Sequence, residues 1–192
     1  MAWRNDQVSE LETKKIIEVA RNQLKVPGDF VEMGCYKGDT SLLLAEVLTG
    51  SDKKRLWIYD SFEGLPEKTT GDESPLGEAF QKGELNVSKR EVKERFLRAG
   101  MRVPVIKKGW FAELDASDLP HEISFAFLDG DFYESIKDSL RLVEDRMAEG
   151  GVMVVHDYNN EALPGVSKAV DEWLVGKNNK TEDYQSMIII HL

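Results

Sequence analysis

Residues 29–38, Asp-Phe-Val-Glu-Met-Gly-Cys-Tyr-Lys-Gly, constrain the fold of this chain more than any other stretch. A short apolar run passes through two glycines into Asp-Thr-Ser-Leu-Leu-Leu-Ala-Glu-Val-Leu, a composition that suits a helix. Strand, tight turn and helix in direct succession make one β-α unit. Its glycines let the backbone approach another surface closely, and its helix N-terminus directs unpaired N–H groups into the same space.

The same alternation continues along the chain. Ser9-Glu-Leu-Glu12 reads as a capping box that opens an amphipathic helix within residues 1–26, and Pro27-Gly28 ends it. Strands are expected at 29–34, 55–60, 103–107, 123–128, 152–155 and 187–191. Helices are expected at about 39–48, 89–99, 133–147 and 165–175, with Gly150-Gly151 turning the chain before the fifth strand. Ile123–Leu128 is almost continuously apolar, as a central parallel strand covered on both faces should be. The pattern predicts a doubly wound α/β sheet, and 192 residues without a repeat or linker predict a single domain, residues 1–192. Residues 61–87 break the pattern with Pro66, Gly71, Pro75, Gly77, Gly83 and many charges, and are expected to form a lid.

The turn has the spacing Glu32-x-Gly34-x-x-x-Gly38 rather than the Gly-x-Gly-x-x-Gly of dinucleotide sites. A carboxylate would repel a pyrophosphate but attract the ammonium and sulfonium of S-adenosylmethionine. The second strand ends at Asp60, where an acid can accept hydrogen bonds from a ribose diol. The opposing reading is a plain turn with Glu32 as a solvated strand end. Trp110 and Phe111, just past the third strand, suit either adenine contact or the core, and Phe62 raises the same choice.

In open α/β sheets ligands bind outside the carboxyl ends of the strands. Glu32, Asp60, Asp129 and Asp157 all stand at such ends, so Asp129, Asp131 and Asp157 would form an oxygen-rich cluster with His156 beside it. Oxygen ligands suit Mg²⁺ or Ca²⁺, and a cation there could lower the pKa of a bound hydroxyl. The alternatives are an Asx turn around Gly130 and a strand-end histidine that merely hydrogen-bonds a neighbour.

The net charge of −10 argues against nucleic acid or an anionic membrane as main partner. Lys53-Lys54-Arg55 and Lys107-Lys108 are the only basic clusters of note, and both read as solvated loop charges. The single cysteine, Cys35, cannot form an internal disulfide and reads as a small turn residue rather than a nucleophile. No apolar run approaches the roughly 20 residues of a membrane span, and the first six residues lack the apolar core of a leader, so the cytoplasm is the expected compartment.

Taken together, Val31-Glu-Met-Gly-Cys-Tyr-Lys-Gly38, Asp60-Ser-Phe-Glu-Gly-Leu-Pro66, Lys108-Gly-Trp-Phe111, Leu128-Asp-Gly-Asp-Phe-Tyr-Glu-Ser135, Gly150-Gly151, His156-Asp-Tyr158 and Ala169-Val-Asp-Glu172 resemble the class I S-adenosylmethionine-dependent methyltransferases. The likeness is to the macrocin and mycinamicin type of sugar O-methyltransferase, over roughly residues 27–175. It implies a seven-stranded Rossmann-like sheet with an antiparallel last strand. It also implies a cofactor site formed by Glu32, Gly34, Tyr36, Gly38, Ser41, Asp60, Ser61, Phe62, Gly109, Trp110, Phe111 and Asp129. A divalent metal would be held by Asp129 and by the pair that here reads His156-Asp157, and these three are the candidate catalytic residues. Where the family has two aspartates in that pair, this chain has an imidazole, which reopens the choice between metal ligand and general base for His156.

The reading is an O-methyltransferase acting on a small hydroxylated acceptor, a sugar or natural-product glycoside among the options, with Mg²⁺ the candidate ion and a homodimer left open. Two alternatives remain at this stage: a non-catalytic S-adenosylmethionine-binding protein and a nicotinamide-dependent oxidoreductase.

Overall fold

The computed structural model describes residues 7–76 and 79–192. The first six residues, read above for a leader, and residues 77–78 in the long loop lie outside the described residues. Seven strands, β1 (Asp29–Met33), β2 (Leu56–Asp60), β3 (Val105–Lys108), β4 (Ile123–Leu128), β5 (Met147–Val155), β6 (Lys180–Tyr184) and β7 (Met187–His191), form one sheet in the order β3-β2-β1-β4-β5-β7-β6. The first five are parallel, β7 runs antiparallel to β5, and β6 runs antiparallel to β7. This is the class I methyltransferase sheet.

The helices are α1 (Glu10–Asn22), α2 (Asp39–Val47), α3 (Lys89–Arg98), α4 (Tyr133–Glu144) and α5 (Pro164–Leu174). Side chains alternate between faces along a strand, so adjacent apolar residues enter different layers. Phe30, Ile58, Phe125 and Val154 pack with Ile16 of α1, Leu42 of α2 and Phe96 of α3. Val31, Tyr59, Ala126 and Val155 pack with Ile136 and Leu140 of α4 and Val166 of α5. Helices on both faces are what the unbroken apolar run Ile123–Leu128 requires, and all six of its residues are buried.

Three local expectations change. β6, Lys-Thr-Glu-Asp-Tyr, has no apolar pattern because it is an edge strand with its first four residues exposed. Gly150-Gly151 does not join α4 to a strand. β5 already begins at Met147 and pairs with Ile123, and the register then shifts so that Val152 faces Phe125. The glycines thus lie in an irregularity within β5. Lys54 is not a solvated loop charge. It is 7% exposed, and its Nζ donates to the carbonyls of Val26 and Gly28 and, at 2.9 Å, to Ser124 Oγ.

From β1 the order proceeds through β2 and β3 to one edge, and from β4 through β5 toward the other. The reversal between β1 and β4 opens a crevice at their carboxyl ends.

Candidate active site

The β1–α2 turn and the end of β4 meet at that crevice. Gly34 has φ +86°, and a Cβ there would collide with the Asp129 carbonyl oxygen. The Asp129 N–H donates to the Met33 carbonyl at 2.8 Å, and the Gly34 N–H to the Tyr59 carbonyl at 2.9 Å. A side chain at Gly34 would push the two turns apart. Asp60 ties the same turn to β2: its Oδ2 accepts the N–H groups of Cys35 at 2.9 Å and Tyr36 at 3.2 Å, and its Oδ1 accepts the Phe62 N–H at 2.7 Å.

These elements line an open cleft of about 1090 Å³, solvent at its mouth included. Of the residues singled out by sequence, Glu32, Gly34, Tyr36, Asp60, Ser61, Gly109, Trp110, Phe111, Asp129, His156 and Asp157 line it. Gly38, Ser41 and Phe62 do not. Gly38 is the left-handed N-cap of α2. Ser41 is fully buried and donates its hydroxyl to Glu32. Phe62 packs in the core with Phe96 and Val92. Asp131, read above as part of the acid cluster, lines the cleft too, and Val8, Leu65, Phe80, Ser135 and Asn160 line it without having been assigned to a cofactor or metal role. Among the described residues, seven non-glycine residues have positive φ, and five of them, Tyr36, Phe80, Leu85, Asp131 and Asp157, line this cleft. Such conformations cost roughly 1–3 kcal/mol each and gather at functional sites.

Electrostatics divide the cleft. Glu32 is 1% exposed. Burial pushes its carboxyl up to about 8, the Ser41 hydroxyl pulls it down, and Asp129, Asp60 and Asp39 add to the rise. The Cys35 thiol is pushed up by burial and then by Asp60 and Glu32, which makes it a poor nucleophile. Burial likewise raises the Asp131 carboxyl well above its ordinary range, and Asp129 and Asp157 add to that.

His156 lies at the far wall. Its Nδ1 is 3.0 Å from Asp129 Oδ1 and 3.1 Å from Asp157 Oδ2, and its Nε2 is 3.9 Å from Glu12 Oε2. Burial alone would lower the pKa of this imidazole, but the carboxylates of Asp129, Asp157 and Glu12 outweigh it and raise it. One ligand atom from each of Asp129, His156 and Asp157 falls within 4.8 Å of the others, a spacing that fits three ligands on one divalent ion. The acids around Glu32, Asp39 and Asp60 in turn suit the positive groups of S-adenosylmethionine.

The comparisons agree with this architecture. The chain belongs to the TylF macrocin O-methyltransferase family, whose model matches residues 6–186. It is similar to an 8-demethyl-8-(2,3-dimethoxy-alpha-L-rhamnosyl)-tetracenomycin-C 4'-O-methyltransferase of Streptomyces olivaceus, 34% identical over 71% of this chain and 55% of that protein. It is also similar to a demethyldecarbamoylnovobiocin O-methyltransferase of Streptomyces niveus, 29% identical over 77% of this chain and 58% of that one. The chain therefore spans little more than half the length of these curated relatives. Among solved structures, the O-methyltransferase NovP superposes with a TM-score of 0.87 at 23% identity, covering 97% of this chain and 82% of that one. The calicheamicin methyltransferase CalS11 gives 0.78 at 18% identity, covering 95% and 80%. These likenesses support the fold. Among the described residues, no helix is long and apolar enough to cross a membrane.

Proposed function

We propose that this protein is an S-adenosylmethionine-dependent O-methyltransferase whose acceptor is a hydroxyl of a small polyhydroxylated molecule, such as the sugar of a natural-product glycoside. One observation carries the reading: strand-end acids far apart in sequence, Glu32, Asp60, Asp129 and Asp157, line a single cleft at the switch point of the sheet. The tetracenomycin relative, named as an enzyme acting on a rhamnosyl compound, supports the sugar.

When bound, S-adenosylmethionine supplies an electrophilic methyl group on a sulfonium. Glu32 would hold its positive end, Asp60 its ribose, and Gly109, Trp110 and Phe111 its adenine, while Asp39 is paired with Arg95. A divalent ion, Mg²⁺ in the simplest case, would be held by Asp129, His156 and Asp157 and would lower the pKa of an acceptor hydroxyl. Asp131, which also lines the cleft, takes the hydroxyl proton when it is itself ionised. The carboxylates orient the acceptor so that its oxygen faces the methyl group. Residues 61–87, part of the same single domain, act as a lid, since Leu65, Pro66, Phe80 and Leu85 form one wall of the cleft. The lone thiol fits a reducing compartment such as the cytoplasm.

The test is calorimetry with S-adenosylhomocysteine and NADH, followed by turnover on a panel of hydroxylated acceptors. Binding of S-adenosylhomocysteine but not NADH, with a methyl ether as product, is the expected result. S-Adenosylhomocysteine binding without turnover on any acceptor would favour a non-catalytic binding protein, and no binding at all would overturn the reading.

A further inference from the structure

Glu12 entered the sequence reading only as the third residue of a helix cap. In the fold it is 5% exposed and lies behind the cleft. Its Oε2 accepts the Ser9 N–H at 3.0 Å and the Ser9 hydroxyl at 2.6 Å, closing the cap of α1. Its Oε1 accepts the Ser186 N–H at 3.0 Å and the Ser186 hydroxyl at 2.5 Å, from the turn between β6 and β7. Four donors from two separate elements thus fix this carboxylate in place. The side of Oε2 left over faces His156 Nε2.

The His156 ring lies between two sets of carboxylates. Nε2 faces Glu12, and Nδ1 faces Asp129 and Asp157. Its backbone is held by the bond from its N–H to the Leu128 carbonyl at 3.0 Å, and its ring lies against Phe127. A metal-ligating histidine characteristically donates its other ring N–H to a carboxylate, which sets the tautomer and orients the ring. Glu12 Oε2, 3.9 Å from Nε2, is the carboxylate oxygen on that side of the ring, at ion-pair range and beyond hydrogen-bond length.

We infer that Glu12 is a positioning residue for the Asp129–His156–Asp157 centre, turning Nδ1 of His156 toward the two aspartates, and that the resulting two-oxygen, one-nitrogen centre prefers a divalent ion tolerant of imidazole, such as Mn²⁺, over Mg²⁺. The inference rests on the divalent-ion reading proposed above. Mg²⁺ selects oxygen ligands in near-ideal octahedra, whereas imidazole suits transition ions, whose affinity for nitrogen is greater. One nitrogen among three protein ligands shifts the balance from Mg²⁺ toward Mn²⁺. The helix before β1 is then part of the active centre, through a single carboxylate.

The experiment measures Mn²⁺ and Mg²⁺ binding to the full chain by calorimetry, with S-adenosylhomocysteine affinity measured in parallel. The wild type should bind Mn²⁺ more tightly than Mg²⁺. Glu12→Gln should weaken Mn²⁺ by about 10–100-fold, the usual effect of losing such a partner, and leave S-adenosylhomocysteine binding intact. His156→Asp should narrow the gap between Mn²⁺ and Mg²⁺. Glu12 also closes a helix cap, so a second measurement, independent of whether the Gln variant folds, uses the wild type alone: nitrogen-resolved NMR of His156 with Zn²⁺ as a diamagnetic probe should find the proton on Nε2 and none on Nδ1. Equal affinity for both ions, a folded Glu12→Gln with unchanged Mn²⁺ binding, or a wild type that binds no divalent ion and carries protons on both ring nitrogens would each overturn the inference. The last result together with intact S-adenosylhomocysteine binding would leave methyl transfer standing. Loss of S-adenosylhomocysteine binding alone would instead count against the parent reading.

Discussion

The carboxylate of Asp60 accepts the backbone N–H of Cys35 at 2.9 Å, so the acid expected to meet a ribose also pins the glycine turn to β2. Replacing it should therefore have two effects. Asp60→Ala should destabilise the protein by about 1–3 kcal/mol through unpaired amides and should also weaken S-adenosylhomocysteine. Asp60→Asn keeps an acceptor for the turn, and should retain most of the stability while still losing affinity. Thermal unfolding and calorimetry on the two variants separate these effects, and an Asn variant with wild-type affinity would remove Asp60 from the ribose.

Gly34→Ala should be among the most damaging single-methyl changes in the chain. The added carbon meets the Asp129 carbonyl, and the left-handed backbone adds strain. A loss of at least about 2 kcal/mol is expected in chemical denaturation. A variant of wild-type stability would mean that the two turns can separate freely.

Glu32 links stability and cofactor binding to pH. Its carboxyl has a folded value of about 8 against an ordinary 4.5, so the free folded chain keeps a proton that the unfolded chain has lost. Its contribution to stability is fully present below about pH 4.5 and is lost as pH rises toward 8. A cationic ligand beside Glu32 favours the ionised form, so S-adenosylmethionine should bind more tightly as pH rises through this window and release a proton near neutrality. Calorimetry at pH 7 in buffers of different ionisation enthalpy reads that proton directly, and an identical heat in every buffer would contradict it.

Asp131→Asn should cut kcat by about 10²–10⁴-fold, the range for loss of a general base. S-Adenosylhomocysteine affinity should be little changed, because Asp131 is assigned to the acceptor side. Single-turnover rates and calorimetry on one preparation provide the check.

The long loop is anchored at particular points. Asp72, 2% exposed, accepts the Tyr133 N–H at 2.6 Å at the start of α4 and the Thr69 N–H at 2.9 Å. The Leu65 N–H donates to the Glu84 carbonyl at 2.8 Å and closes the base. Asp72→Ala should raise the rate of limited proteolysis within 61–87, and S-adenosylhomocysteine should slow the cutting in wild type. Equal cutting with and without ligand would argue against a lid.

Much of this was legible because strand ends are legible. Asp60, Asp129 and Asp157 each follow an apolar run, and a parallel sheet brings such ends together whatever their separation in sequence. β6 was hidden because an exposed edge strand of Lys, Thr, Glu, Asp and Tyr has no buried face to impose a pattern. Phe62 stayed open for a related reason: an aromatic after a strand end suits a pocket or a core equally, and its side chain packs in the core. Glu12 showed its local role through the spacing from Ser9. Its contact with His156 depends on how α1 docks on the sheet, which no local pattern encodes.

The abutment of Gly34 against the Asp129 carbonyl has a consequence for divergence. With no room for even a methyl between the two turns, the floor that would seat the methyl donor and the floor that would seat the acceptor are one rigid piece. Their separation is fixed by backbone geometry, leaving side-chain choice little influence over it. A lineage that changes its acceptor has little freedom in that floor and must instead vary other lining residues, such as Leu65, Pro66, Phe80 and Leu85.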